Sequence, residues 1–168
     1  MLPRIHGREK MVTFLRFRLK KLIHLTLVAL TAALIFSFVL SPVFVSGQSM
    51  EPTYREGEFI LINRLGYLIR SPERGEIVAI KLAGRHLMLM KRIIGLPGET
   101  VELRNGQVFI NDRPLVEPYL ISPESWDLPP RVLTAEEYFV IGDNRRQTME
   151  KHFFGRVKAK QIVGRALW

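Results

Sequence analysis

The sequence predicts a mostly β domain carried on a single N-terminal transmembrane helix. Three observations predict it. The stretch Leu22–Met50 contains no Asp, Glu, Lys or Arg. From Glu58 onward the chain runs as short apolar segments rich in Val, Ile and Phe, separated by turn residues, which is the pattern of strands. Long helical periodicity is absent after the apolar stretch.

The helix comes first. Leu22–Leu40 is nearly all Leu, Val, Ala, Ile and Phe, and only His24, Thr26, Thr31 and Ser37 interrupt it. As a helix it spans about 28 Å, close to the roughly 30 Å hydrocarbon core of a bilayer. Pro42 opposes further helix. A cleaved leader would have a shorter apolar core and a small-x-small site after it; Ser41-Pro-Val-Phe-Val offers no such site. The segment reads as an anchor over residues 22–41. Ahead of it, residues 1–21 hold seven Lys or Arg against the one acid Glu9. The positive-inside bias keeps that arm cytoplasmic and exports residues 42–168.

That arm also explains the charge of the whole chain. It supplies +6 of the net +9, leaving about +3 for the other 147 residues. The basicity belongs to a juxtamembrane segment that attracts anionic lipid headgroups, and a nucleic-acid partner is not expected. The absence of cysteine removes a disulfide scaffold, a thiol nucleophile and a Cys-based metal site.

The exported residues suffice for one compact domain. Strands are predicted over Glu58–Asn63, Gly75–Lys81, His86–Ile94, Glu99–Leu103, Gln107–Ile110, Tyr138–Ile141 and Gln161–Trp168. Asn105-Gly106, between two alternating runs, predicts a two-residue hairpin, and Asn111-Asp112 the next turn. Ile121–Arg131 reads as a surface loop whose Trp126 suits the lipid interface.

The candidate chemistry begins at Ser49, in Ser-Gly-Gln-Ser-Met-Glu-Pro-Thr just past the apolar run. A serine nucleophile needs a base. The exported segment holds only His86 and His152, neither in a hydrolase motif, and no Gly-x-Ser-x-Gly elbow surrounds Ser49. A lysine serves if burial lowers its pKa from about 10.4 toward neutrality. Lys91, in His-Leu-Met-Leu-Met-Lys-Arg-Ile-Ile, would share a strand face with Leu87, Leu89 and Ile93. Taken alone, the sequence around Lys91 favours an edge-strand lysine turned to solvent. No His-Glu-x-x-His and no phosphate-binding glycine loop occurs, so no metal or organic cofactor is expected.

Five segments extend this reading: Ser46–Tyr54 (SGQSMEPTY), Arg74–Lys81 (RGEIVAIK), Lys91–Glu99 (KRIIGLPGE), Val108–Leu120 (VFINDRPLVEPYL) and Gly142–Gly155 (GDNRRQTMEKHFFG). Their content and order resemble the type I signal peptidases over about residues 20–168. That resemblance implies a membrane-anchored, largely antiparallel β serine endopeptidase that removes signal peptides from exported preproteins at a bacterial plasma membrane. It places the family's Ser/Lys dyad on Ser49 and Lys91. It implies that Thr148 helps orient the lysine, that Asp143 and Arg145 shape the site, and that Met50 packs beside the nucleophile. Gly47 matches a position that is an oxyanion-hole serine in some members and glycine in others. Val43–Val45, hence Val43 and Val45, matches part of the wall that receives small substrate side chains.

Two positions depart from the resemblance. An Asp and an Arg that often pair behind the lysine read here as Glu150 and His152, and imidazole cannot reproduce a permanently charged bidentate guanidinium. That leaves the support of Lys91 open, and with it the alternative of an anchored β domain that binds exported proteins without cleaving them. A self-cleaving repressor with a similar dyad would need a DNA-binding helix-turn-helix where this chain has its apolar span.

Overall fold

A computed structural model describes residues 5–81, 88–120, 124–146 and 148–167. The chain divides into two compact units, Met1–Val39 and Leu40–Trp168. The first is one helix, α1 (Ile5–Val39, 35 residues). From Ile5 onward the basic arm and the apolar segment are therefore continuous helix. From Met11 to Val39 it is apolar enough to cross a membrane, and none of its most apolar stretch is buried by protein. Its hydroxyls bond within the helix: Thr26 donates to the Leu22 carbonyl at 2.6 Å, Thr31 to Leu27 at 2.8 Å and Ser37 to Leu34 at 2.7 Å. Such bonds satisfy polar groups where water is absent.

Among the described residues the second unit contains eleven strands: β1 (Leu40–Phe44), β2 (Phe59–Asn63), β3 (Ile77–Lys81), β4 (Met88–Gly95), β5 (Thr100–Arg104), β6 (Gln107–Ile110), β7 (Arg113–Pro114), β8 (Leu128–Val132), β9 (Glu137–Ile141), β10 (Gly155–Lys158) and β11 (Ile162–Leu167). A one-turn helix, α2 (Gly66–Ile69), follows β2. Every pairing is antiparallel. The large sheet runs β1-β2-β11-β3-β4-β9-β10 and the small one β7-β6-β5-β8. The mostly antiparallel β class is as predicted.

Turn chemistry sets the small sheet. Asn105 and Gly106 both take positive φ, 48° and 79°, closing Arg104 against Gln107. Asn111 and Asp112, at 49° and 62°, close Ile110 against Arg113. Both are the mirror-image turns that match strand twist. A core of Val101, Leu103, Val108, Ile110, Trp126, Leu133, Phe139 and Ile141 joins residues from both sheets.

Several expectations need correction. The helix stops at Val39, and Leu40–Phe44 is an edge strand on β2, where Pro42 costs no ladder bond. Part of the expected loop 121–131 is β8, a second edge strand, and its Pro129 and Pro130 fall where the register against β5 shifts between Leu128 and Arg131, an irregularity that relieves the ladder of the missing N–H groups. Trp126 is not at a lipid interface: it is only 4% exposed and packs in the core. Residues 82–87, including His86 and Leu87, lie outside the described residues, as does Trp168.

Candidate active site

Ser49 sits in a tight loop between β1 and β2. The loop's stem is tied by Val45 N–H to the Glu58 carbonyl (2.9 Å) and Gly57 N–H to the Val45 carbonyl (2.8 Å). Gly47 has a φ of +84°, a conformation that strains any residue with a Cβ, and its N–H donates to Glu56 Oε1 at 3.3 Å. Met50 is buried beside the half-buried Ser49.

The Gly142-Asp143-Asn144 segment, which follows β9, grips this loop. Asn144 N–H donates to the Ser49 carbonyl at 3.1 Å, and Asn144 Nδ2 donates to the Gln48 carbonyl at 2.9 Å. A Cβ on Gly142 would lie 2.3 Å from the Ser49 carbonyl oxygen, so only glycine permits the approach.

Lys91 lies in the middle of β4, between β3 and β9, with Val78 directly across from it. Both neighbouring strands cover it, and it is 2% exposed. The solvated edge-strand alternative is thereby excluded. Burial pushes its pKa from 10.5 down to about 8, opposed in part by the charge of Asp143. Strict alternation is not what buries it: Ile93, Ile94 and Gly95 are all buried because a central strand is covered on both faces.

Asp143 is buried and fully partnered. Arg92 Nε donates to Oδ1 at 2.8 Å, Arg92 Nη2 to Oδ2 at 2.5 Å, and the Thr53 hydroxyl to Oδ2 at 2.5 Å. Arg145, also buried, donates from Nη2 to Glu117 Oε1 at 2.7 Å and from Nε to the Gly142 carbonyl at 2.9 Å. Tyr119 links the two ion pairs: its hydroxyl donates to Glu117 at 2.6 Å, and the Arg92 guanidinium lies 3.9 Å from its ring centroid. Thr53, Arg92, Glu117 and Tyr119 were not singled out from sequence, although each lies inside a quoted motif. No local signal marks pairs separated by 28 to 51 residues.

The remaining expected residues are placed as follows. Val43 and Val45 line a cavity of about 440 Å³ together with Gly47, Ser49, Met50, Ala79, Leu89 and Met90. Thr148 is exposed, and among the described residues its hydroxyl makes no hydrogen bond, so the structure does not join it to Lys91. Glu150 is exposed as well. His152 is 8% exposed, stacks edge-on against Trp126 with centroids 5.0 Å apart, and has no hydrogen-bond partner for either ring nitrogen among the described residues. Burial, then the nearby charges of Lys91 and Arg145, push its pKa down to about 4, so it is neutral at physiological pH.

Geometrically, then, a clamped serine borders a small apolar cavity, and a buried lysine of lowered pKa lies in β4, the strand that supplies Leu89 and Met90 to the wall of that cavity. The chain as a whole is similar to known proteins. Residues 18–168 match the family described as signal peptidase, peptidase S26. A signal peptidase I of Bacillus amyloliquefaciens is 38% identical over 144 residues, covering 79% of this chain and 77% of that protein. A probable signal peptidase I-2 of Synechocystis is 36% identical over 136 residues, 77% of this chain; the match spans only 62% of that relative's length. A crystal structure of a signal peptidase I from Enterococcus faecalis aligns at 32% identity and a TM-score of 0.47, covering 57% of this chain and 97% of that one. The chain belongs to the signal peptidase family, peptidase S26.

Proposed function

We propose that this chain is a membrane-anchored serine endopeptidase that cleaves signal peptides from exported preproteins, with Ser49 as nucleophile and Lys91 as general base. The observation that carries the residue assignment is the buried Lys91, whose pKa of about 8 leaves a usable fraction of neutral amine near neutral pH. Neutral Lys91 takes the Ser49 hydroxyl proton as the oxygen attacks the scissile carbonyl. The oxyanion is met by the Ser49 backbone N–H, since Gly47 brings no side-chain hydroxyl. The tetrahedral species collapses as Lys91 returns its proton to the departing amine, which leaves with the mature chain. A water deprotonated by the same lysine then hydrolyses the Ser49 ester and frees the signal peptide.

The other site residues support this pair. Asp143, neutralised by Arg92, and Arg145, neutralised by Glu117, hold the Gly142–Asn144 segment against the nucleophile loop. The apolar cavity lined by Val43 and Val45 receives small substrate side chains ahead of the scissile bond. The basic arm stays cytoplasmic against anionic headgroups, and residues 42–168 work on the exported face of a bacterial plasma membrane without a nucleic-acid partner.

The test is incubation of the detergent-solubilised protein with a labelled preprotein beside its Ser49→Ala variant. Wild type should release a mature product and the variant none above background. Equal processing by the variant removes Ser49 from its role.

A further inference from the structure

A second cleft is lined in part by the nucleophile loop itself, at Glu51, Pro52, Arg55 and Glu56. It has a volume of about 320 Å³, and Asn144 and Arg146 line it as well. The two cavities are consecutive along the chain: Met50 lines the apolar cavity and Glu51 lines this cleft. Asn144, in its wall, is the residue that donates to the carbonyls of Gln48 and Ser49. The two cavities share no lining residue and differ in chemistry: one is walled by Val, Met, Leu and Ala, the other by charged and amide side chains.

The charges in the cleft are not all committed to the fold. Asp143 and Arg145 reach its wall but are neutralised from outside it, by Arg92 and Glu117. Glu56 accepts the Gly47 N–H. The Glu51 carboxylate and the Arg55 guanidinium, by contrast, form no ion pair or side-chain hydrogen bond among the described residues. Holding one free charge of each sign at the lip of a polar cleft gains nothing for stability.

We propose that this cleft is the binding site for the first residues of the mature chain, those just beyond the scissile bond, and that it selects polar over bulky apolar side chains. The inference rests on Ser49 being the nucleophile. A peptide whose leader side fills the apolar cavity and whose carbonyl reaches Ser49 continues toward Asn144 and Glu51. Its leaving segment then lies in the polar cleft. Glu51 discriminates in favour of a basic residue there and Arg55 in favour of an acidic one. An apolar side chain would strip water from both charges without replacing it, which disfavours it.

The experiment uses the full chain in detergent and four preprotein substrates that differ only in their first two mature residues: Ser, Lys, Glu or Leu at both. Wild type should process the Leu substrate with a kcat/KM about 5-fold or more below the Ser substrate, the effect of roughly 1 kcal/mol. Glu51→Lys should lower the Lys-to-Glu ratio of kcat/KM by about 3-fold, and Arg55→Glu should raise it by a similar factor, the size of one partly exposed ion pair. Each variant is its own control, because a ratio between substrates cancels any loss of folded enzyme. Processing of all four substrates at one rate, or ratios unmoved by both substitutions, overturns the assignment of the cleft alone. A wild type that cleaves none of the four overturns the peptidase reading and this inference with it.

Discussion

Replacing Lys91 by methionine should stabilise the protein while abolishing its activity. Lys91 is 2% exposed, and its pKa is about 8 in the fold against 10.5 for a free lysine. At about 1.36 kcal/mol per pH unit, that difference is a penalty of about 3 kcal/mol on the folded ammonium. The folded pKa is the lower one. Below about pH 8 the lysine is therefore charged in both states, and the fold carries the full penalty. Between about 8 and 10.5 the folded state sheds its proton first, stability rises with pH, and the penalty fades, to about 1 kcal/mol by pH 10. Methionine has similar length and no charge, and Asp143 keeps its pair with Arg92. For a chain of this size, about 3 kcal/mol corresponds to roughly 6–12 °C in Tm. The assay is thermal unfolding of the detergent-solubilised wild type and Lys91→Met by circular dichroism at pH 7 and pH 10. The variant should melt higher at pH 7, and the gap should narrow at pH 10. A variant that melts at or below wild type at pH 7, or a gap that stays constant, refutes the buried-ammonium argument.

Two further substitutions test the clamp behind the site. Gly142→Ala puts a methyl 2.3 Å from the Ser49 carbonyl oxygen; the resulting shift of the nucleophile should cut kcat about 100-fold with the circular dichroism spectrum retained. Glu117→Ala leaves buried Arg145, whose Nη1 already lacks a partner among the described residues, without its Glu117 counter-charge; chemical denaturation should show a loss of about 3–5 kcal/mol.

Much of this molecule is legible from local chemistry. An uncharged apolar run announces α1, and Asn-Gly and Asn-Asp announce two hairpins because few residues accept positive φ. The burial of Lys91 is only half legible: it stands in a hydrocarbon segment, yet the same residues allow a solvated edge strand, and its pairing with Ser49 is what the family resemblance implies. The supports are not legible, because they join distant parts of the chain. Nothing local to Arg92 names Asp143, and nothing local to Glu117 names Arg145. Trp126 misleads for the same reason. Its neighbours are polar, yet its carbonyl accepts the Gly106 N–H at 2.9 Å, Asp127 accepts the Asn105 N–H at 2.9 Å, and its ring packs on His152 and Phe154. Those contacts bury what composition assigns to a surface loop. The replacement at His152 also becomes intelligible in three dimensions: a neutral imidazole fills that space without adding a cation beside Lys91, which would depress the lysine further.

The pH dependence of preprotein processing tests the Ser49/Lys91 pair most directly. A neutral lysine as the base requires kcat/KM to rise with pH through an apparent pKa of about 8 and then level off. Lys91→Arg should stay below about a tenth of the wild-type rate across the range, a barrier increase of at least about 1.4 kcal/mol, because guanidinium keeps its proton. A profile that rises instead near pH 6.5, stays flat from pH 6 to 9, or survives in Lys91→Arg would contradict the assignment of Lys91 as the base.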